Sequence, residues 1–320
     1  MLRKMAIFGL SFGIAVVLAG CNDPGAAAEK GETVTIGYQK GALTLSLKED
    51  EAFARTMADL GYSLEWAEFN TGSSTLEALG SGSTDLANAG DTPSIYAIAN
   101  RQPIHYIAAT DNAPYSEGIL VHPNSGIDRV EDLEGKRIAF NRASIAQYLL
   151  YKALDSVGLT FADIEPVYLG PADAHLAFEQ GNVDAWVTWD PYLAVSEEKG
   201  NHVIATADGL ASYRSFYFAN SDFADQHPEA VQAYVEALQR VGTTIESDAS
   251  EAAAIMEKAT GLPQNTWVGI LNRLDHVPDF IDEEAVSDLQ EQADDLMAIG
   301  LLEGEVSIVD YVWNREEESE

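Results

Sequence analysis

The stretch of sequence that decides the fold runs from residue 33 to residue 69 and reads TVTIGYQKGALTLSLKEDEAFARTMADLGYSLEWAEF. Residues 33–38 are rich in β-branched side chains and predict a strand, 44–60 predict a helix, and 63–69 predict a second strand. Strand, helix and strand in succession are typical of an α/β layer, in which a mainly parallel sheet is covered by helices.

The same alternation continues in both directions along the chain. A second strand–helix series begins after residue 121, and a strand at 215–219 resembles a return to the first series. We therefore predict two lobes, each a mainly parallel sheet flanked by helices, with lobe 1 formed by 32–120 and 218–315 and lobe 2 by 121–217. Strands near 119–121 and 215–219 would connect the lobes, and a ligand cleft would lie between them.

The first twenty-one residues predict an exported lipoprotein. Arg3 and Lys4 precede an apolar run at 5–18, which is followed by Leu18-Ala19-Gly20-Cys21. The run is shorter than the ~20 residues of a membrane-spanning helix, so a transmembrane anchor is the weaker alternative. We predict a signal peptide at 1–20, lipid attachment at Cys21 and a flexible tether over 21–31. The alternative for Cys21 is an incidental cysteine of the apolar region.

Composition excludes several classes of protein. The 320 residues carry a formal net charge of −34, which becomes −36 when Arg3 and Lys4 are removed, so nucleic acid is not an expected partner. With Cys21 as the only cysteine, the chain can form neither an internal disulfide nor a cysteine-based metal site. Its six histidines are scattered singly, so we expect no metal and no cofactor. The acidic run at 316–320 predicts a frayed tail.

Several short sequence motifs together resemble those of the aliphatic sulfonate-binding proteins of ABC importers. These motifs are Gly37-Tyr38-Gln39-Lys40-Gly41, Gly90-Asp91-Thr92-Pro93, Asp132-Leu133-Glu134-Gly135-Lys136, Gln180-Gly181-Asn182-Val183-Asp184-Ala185-Trp186 and Trp189-Asp190-Pro191-Tyr192. The resemblance implies a two-lobed periplasmic-binding-protein-like fold of type II. It also implies capture of an alkanesulfonate, as a sulfur source, for an ABC permease and its ATPase. We expect a monomer held at the membrane through Cys21. Taurine, nitrate and thiamine precursors are the alternative ligands in this superfamily.

A sulfonate needs convergent hydrogen-bond donors, because it stays anionic and offers three acceptor oxygens. The start of a helix supplies such donors, since its first backbone N–H groups have no partner within the helix and carry partial positive charge. Three predicted helix starts follow strands directly, at Gly41-Ala42, at Thr92-Pro93 and at Ser144. Thr92 and Ser144 can each cap a helix or turn the hydroxyl toward an anion. The side-chain amide of Gln39 can donate as well, or belong to an ordinary loop.

A basic side chain would help to hold an anion. Arg214, just before the predicted returning strand, is the best-placed candidate, followed by Arg142, and Lys40 stands beside Gln39. The alternative for each is an ion pair at the surface of this acidic chain.

The remaining candidates are an aromatic residue and two acids. Trp189 could cover the ligand's methylene chain or belong to the core. Asp91 and Asp190 are interpreted as braces of their loops, with pairing to the ammonium of a taurine-like ligand as the alternative.

Two other classes of function remain open. The pyrimidine-precursor synthases share the implied fold, but they carry a cysteine-rich segment that is absent here after position 21. We therefore expect no enzymatic activity. A sensory receptor module would have the same sequence features as a transport protein.

Overall fold

The structure is a computed structural model that describes residues 31–314. The predicted signal peptide, Cys21 and the acidic tail lie outside the described residues. The strands are β1 Glu32–Gln39, β2 Tyr62–Phe69, β3 Leu86–Gly90, β4 Ile104–Ala109, β5 Glu117–Val121, β6 Arg137–Phe140, β7 Glu165–Tyr168, β8 Ala185–Trp189, β9 His202–Thr206, β10 Ser215–Asn220 and β11 Asp279–Phe280. The helices are α1 Leu43–Lys48, α2 Glu51–Asp59, α3 Gly72–Gly80, α4 Asp91–Ala99, α5 Ile145–Ser156, α6 Pro171–Glu179, α7 Tyr192–Glu198, α8 Ser221–Gln226, α9 Pro228–Ser247, α10 Ser250–Thr260, α11 Gln264–Leu271 and α12 Glu283–Ala298.

The strands form two sheets, each the centre of one lobe. Lobe 1 contains the sheet β11-β4-β10-β3-β1-β2, and lobe 2 contains the sheet β7-β6-β8-β5-β9. Helices pack against both sheets, so the predicted two-lobed α/β fold is confirmed.

Both sheets are mixed, whereas the sequence predicted mainly parallel sheets. In lobe 1, β1 pairs in parallel with β2 and β3, but β10 runs antiparallel to β3 and β4. In lobe 2, β6 pairs in parallel with β7 and β8, but β5 runs antiparallel to β8 and β9. The antiparallel strands β5 and β10 are those on which the chain enters lobe 2 and returns to lobe 1.

The boundaries between the lobes also differ from the predicted ones. All of β5 belongs to the sheet of lobe 2, and all of β10 belongs to the sheet of lobe 1. The two connections therefore run through 110–116 and 207–214, a few residues before the predicted connecting strands. A sequence pattern identifies a strand but not the sheet that it joins, because the pairing partners are distant in the chain.

The predicted long helix at 44–60 is two helices, α1 and α2. Asp50 stands between them with extended backbone, and its side chain accepts a hydrogen bond from the backbone N–H of Ala52. This is the geometry of a helix N-cap, which starts a new helix at Glu51.

Each lobe has its own apolar core. The core of lobe 1 contains the buried rings of Phe53, Tyr234 and Trp267, and that of lobe 2 contains Phe140 and Phe178. Burying a large apolar side chain contributes about 1.5–3 kcal/mol to stability, so each lobe is held by several such contributions. Within residues 31–314, no helix is long and apolar enough to cross a membrane.

Candidate ligand-binding site

A cleft of about 150 Å³ lies between the lobes. Strands β1, β3, β6 and β8 all end at its walls, which places strand-to-helix turns from both lobes around one space. The cleft is lined by Gln39, Lys40, Gly41, Ala42, Thr71, Gly72, Ser73, Asn88, Ala89, Gly90, Pro93, Asn141, Ala143, Ser144, Ile145, Trp189, Asp190, Tyr213, Arg214, Ser215, Trp267, Ile270 and Leu274.

An unpaired backbone donor enters this cleft from α5. Ser144 is the N-cap of α5, as the sequence predicted, but its hydroxyl donates to the carbonyl of Asn141 at 2.7 Å and caps no backbone N–H. No described residue accepts from the backbone N–H groups of Ile145 and Ala146, the first two of the helix. Of these two residues Ile145 lines the cleft, so the N-terminus of α5 offers its backbone N–H and a partial positive charge there.

Helix α3 presents a second set of donors from lobe 1. The hydroxyl of its N-cap, Thr71, accepts from the backbone N–H of Ser74. The backbone N–H groups of Gly72 and Ser73 have no acceptor within the described part of the chain, and both residues line the cleft. The sequence predicts a helix near 74–80, but the start of this helix was not among the predicted donors, although Thr71 followed by Gly72 after a strand is an available signal.

Gly41 allows the chain to pass closely over an aromatic ring. Its φ angle is +90°, and a methyl group at this position would lie 2.7 Å from Cη2 of Trp267. Both the left-handed backbone and the close contact require glycine. This turn brings Gln39 and Ala42 to the wall of the cleft.

Seven of the nine predicted binding residues line the cleft together, namely Gln39, Lys40, Gly41, Ser144, Trp189, Asp190 and Arg214. Lys40 is paired with Glu68 at 3.0 Å, and both side chains are exposed. The amide nitrogen of Gln39 donates to the backbone carbonyl of Asn88 at 3.4 Å. Trp189 is partly buried, and its ring belongs to the wall of the cleft.

Asp91 and Thr92 lie outside the lining, which corrects their predicted position. The N-cap of α4 is Gly90, so Thr92 lies inside the first turn rather than at the cap. Both side chains are buried and bind Gln292 of α12, whose amide nitrogen donates to Thr92 Oγ1 at 2.6 Å and to Asp91 Oδ1 at 3.3 Å. The Thr92 hydroxyl also donates to Asp91, so it is not free for a ligand. Asp91 Oδ1 thus accepts hydrogen bonds from Thr92 and Gln292, and a bracing role for Asp91 stays a prediction.

The guanidinium of Arg214 is bound within lobe 1, although the residue lines the cleft. It donates to Glu284 Oε1 at 2.9 Å and to Asp288 Oδ2 at 3.0 Å on α12, and its side chain is only 5% exposed. Arg142 does not line the cleft, and its guanidinium lies 5.9 Å from the ring centre of Tyr168. Arg214 is therefore engaged in ion pairs with Glu284 and Asp288, which was the alternative to a role in holding the anion.

Asp190 is held by a cation that the sequence reading did not single out. Arg273, just after α11, places Nε 3.1 Å from Asp190 Oδ2 and Nη1 3.1 Å from Glu197 Oε2. The backbone N–H of Ala194 also donates to Asp190 at 3.1 Å. Asp190 is thus a brace, and its partner Arg273 links lobe 1 to lobe 2.

Burial raises the pKa of three acids near the cleft. Desolvation raises the pKa of Asp91 to about 6, although hydrogen bonds from Thr92 and Gln292 oppose the shift. Burial likewise raises the pKa of Asp190 to about 6, against the lowering effect of Arg273. Burial, with the nearby Asp91, holds the pKa of Glu117 well above its ordinary value. Each shift favours the uncharged form of the acid, but with a pKa of about 6 Asp91 and Asp190 are still mainly charged at neutral pH.

Asn88 is a further donor that the sequence reading missed. Its side chain is buried, and Oδ1 accepts from the hydroxyl of Thr44 at 2.8 Å. With Oδ1 occupied, the amide nitrogen is the free end, and it has no hydrogen-bond partner among the described residues. Asn88 lies two residues before the end of β3. Because ligands bind near the carboxyl ends of strands, this position could have identified it as a candidate.

Comparison with known proteins places this cleft in context. Residues 58–248 match the family described as NMT1/THI5 like. A relative from Escherichia coli strain K12, provisionally named as an aliphatic sulfonates-binding protein, is 34% identical over 293 residues, which are 90% of this chain and 91% of the relative. The crystal structure of the periplasmic aliphatic sulphonate binding protein from Escherichia coli has a TM-score of 0.82 and 33% identity, covering 88% of this chain and 97% of that one.

A second solved structure agrees. The alkanesulfonate-binding protein from Xanthomonas axonopodis pv. citri, bound to MOPS, has a TM-score of 0.82 and 31% identity, covering 89% of this chain and 99% of that one. Two lobes that enclose a donor-lined cleft make this chain a two-lobed ligand-binding protein of the periplasmic-binding-protein type. It belongs to the NMT1/THI5-like family and, within it, to the aliphatic sulfonate-binding proteins. The resemblance seen in the sequence is thereby confirmed.

Proposed function

We propose that this chain captures aliphatic sulfonates outside the cytoplasm and delivers them to an ABC permease and its ATPase as a source of sulfur. The observation that carries the proposal is the cleft into which the unpaired backbone donors of α3 and α5 open from opposite lobes. The named relatives support the ligand class, because two of them are solved binding proteins for such compounds.

The chemistry of the cleft suits a sulfonate. The sulfonate group carries a single negative charge that does not depend on pH in the physiological range, so no proton acceptor is needed. The backbone N–H groups of Gly72, Ser73 and Ile145 and the amide of Asn88 supply neutral donors for three oxygens. We propose that Gln39, Lys40, Gly41, Ser144, Trp189 and Asp190 complete the binding site, with Trp189 covering the carbon chain.

These local donors must act against the field of an acidic protein, whose formal net charge is −34. At ~0.15 M salt the Debye length is ~8 Å, so charges outside the cleft are largely screened, whereas contacts near 3 Å are not. Selection of the anion therefore depends on the donors of the cleft.

Ligand binding closes the lobes. The ligand contacts donors of both lobes only in the closed form, and it shifts the open–closed equilibrium by its differential affinity for that form. The closed form is the one that docks on the permease. The ligand leaves chemically unchanged, since the protein acts as a binding protein and not as an enzyme.

The position of Cys21 supports a lipid anchor. It follows Leu18-Ala19-Gly20 after a short apolar run, the setting in which a lipoprotein signal peptide is cleaved. We propose that acyl chains on Cys21 hold the monomeric protein at the outer face of the membrane, since each buried methylene contributes ~0.8 kcal/mol.

Calorimetric titration of the chain from Glu29 onward tests the ligand class. Ethanesulfonate is expected to bind, and the recovered ligand should be unchanged. Taurine, nitrate and a thiamine precursor are titrated in parallel. If only nitrate or the thiamine precursor bound, the sulfonate proposal would be wrong.

A further inference from the structure

The cleft continues outward into a wider chamber. This outer chamber has a volume of about 710 Å³, compared with about 150 Å³ for the inner cleft. The two spaces share Gln39, Lys40, Thr71, Trp189 and Asp190 as lining residues. A ligand whose sulfonate lies at the helix starts can therefore extend into the outer chamber without leaving the protein.

Aromatic rings form the lobe 2 wall of the chamber. Besides Trp189, the wall contains Tyr192 and His175, whose ring centres are 6.1 Å apart. Both rings pack on the buried Trp186, at 5.7 Å and 5.5 Å between centres. This packing fixes the two partly buried rings, and fixed rings prefer another flat ring as a partner, in an offset or edge-on arrangement.

The lobe 1 wall contributes three apolar side chains among its polar ones. Phe69, at the end of β2, faces the chamber together with Ala259 and Leu262 from the region of α10. A flat apolar group in the chamber would therefore be covered from both lobes, which gives closure an additional favourable contact.

The charges around the chamber argue against a second anionic group on the ligand. Lys40 is paired with Glu68 at 3.0 Å, and Asp190 is paired with Arg273 at 3.1 Å. The carboxylate of Asp173 is exposed at the mouth, where it would repel a second anion. A second anion is therefore disfavoured, and the rings that line the chamber favour an uncharged, flat substituent.

We propose that the outer chamber is a subsite for an uncharged ring-bearing substituent, so that arylsulfonates are ligands of this protein in addition to short alkanesulfonates. The inference rests on the proposed function, because it assumes that the sulfonate group occupies the inner cleft. It assigns Tyr192 and His175 as residues that determine specificity for the substituent.

The test compares naphthalene-2-sulfonate with ethanesulfonate by calorimetric titration. Naphthalene-2-sulfonate should bind the unaltered protein at least tenfold more tightly. The variant Ala172→Trp places a large side chain at an exposed position of α6 that lines the outer chamber and not the inner cleft. It should weaken naphthalene-2-sulfonate at least tenfold and leave ethanesulfonate within about twofold. The matched control, Ala54→Trp, is exposed on α2 and should alter neither ligand.

Titrating both ligands distinguishes failure of the proposed subsite from failure of the proposed function. Unchanged ethanesulfonate binding shows that Ala172→Trp is folded. If ethanesulfonate binds the unaltered protein but naphthalene-2-sulfonate does not, or if Ala172→Trp affects both ligands equally, the outer chamber is not the subsite. If neither ligand binds the unaltered protein, the proposed function itself fails, and the assignment of the chamber fails with it.

Discussion

Arg273 and Asp190 form an ion pair that joins the two lobes beside the cleft. Arg273 belongs to lobe 1 and Asp190 to lobe 2, and the Nε–Oδ2 distance is 3.1 Å. The Asp190 side chain is 5% exposed and that of Arg273 26%, so solvent screens the pair only in part. Lys152 and Asp295 form a second link between the lobes at 2.9 Å. The arrangement of the lobes in this structure is therefore stabilised by contacts that do not involve a ligand.

We expect Arg273→Gln to weaken sulfonate binding about tenfold, equivalent to about 1.4 kcal/mol. Without the guanidinium, closure would bury Asp190 unpaired beside an anion, so the closed form becomes less favourable. Titration calorimetry gives the dissociation constant, and small-angle scattering gives the population of the closed form. The control is Arg55→Gln, which removes the exposed pair of Arg55 with Glu51. An unchanged dissociation constant for Arg273→Gln would show that the pair has no part in closure.

Removing the buried charge of Asp91 should stabilise the protein at neutral and alkaline pH. Burial raises the pKa of Asp91 to about 6, whereas an unfolded aspartate has a pKa of about 3.9. The folded state binds this proton more tightly, so the contribution of Asp91 to stability falls as the pH rises from about 4 through about 6. We expect Asp91→Asn to be more stable than the unaltered chain by about 1–3 kcal/mol at pH 8, with the difference vanishing near pH 4.

Urea unfolding at several pH values measures this difference. The control, Asp59→Asn, removes the same charge at an exposed position of α2 and reports the general effect of net charge. A pH-independent difference for Asp91→Asn would contradict the account of its burial.

Gly41 and Gly61 offer a matched pair for testing the close approach to Trp267. Both have positive φ angles, +90° and +94°, but a methyl group at Gly61 would meet nothing within 4 Å. Alanine at either position destabilises the protein by about 1 kcal/mol, because its Cβ disfavours the left-handed backbone. At Gly41 it also collides with the ring of Trp267. Gly41→Ala should therefore be less stable than Gly61→Ala by about 1–3 kcal/mol in chemical denaturation. Equal stabilities would mean that the ring moves aside freely.

The backbone donor of α5 can be removed by a proline at its first position. Ile145→Pro keeps the helix start, where proline is tolerated, but removes the N–H group. Losing one hydrogen bond to an anion costs about 1.5–3 kcal/mol, so the dissociation constant for ethanesulfonate should rise at least tenfold. Ile145→Ala loses the same side chain but keeps the donor. Glu283→Pro makes the equivalent change at the exposed start of α12. Equal affinities for Ile145→Pro and Ile145→Ala would remove this donor from the binding site.

Cys21→Ser should separate anchoring from binding. Cells that express the unaltered chain and are fed a labelled fatty acid should incorporate label into the protein, because we propose that Cys21 is the site of lipid attachment. The serine variant should carry no label and bind ethanesulfonate with unchanged affinity. Label that persists on the variant would refute the anchor at this position.

Local sequence patterns were sufficient to predict strands, helices and several of the residues that line the cleft. Strand periodicity identified β1 and the strand-to-helix turns at Gly41 and Ser144, because these features depend on residues close in the chain. The pairing of β5 and β10 was not accessible, since the partners of a strand are chosen by contacts across the whole fold.

The direction of individual side chains depended on partners that are far away in sequence. Thr92 turns inward because Gln292, 200 residues later, binds it, and Arg214 turns toward Glu284, 70 residues later. Asp190 finds Arg273 at a separation of 83 residues. No local rule links such pairs, so a reading of the sequence could name these polar residues but not say which of them face the ligand.

A crystal structure of the complex with ethanesulfonate tests the central claim most directly. The account predicts that the sulfonate lies between the lobes, with its oxygens about 3 Å from the backbone nitrogens of Ile145 in lobe 2 and of Gly72 or Ser73 in lobe 1. A sulfonate held by Lys40 alone, or by one lobe only, would contradict it.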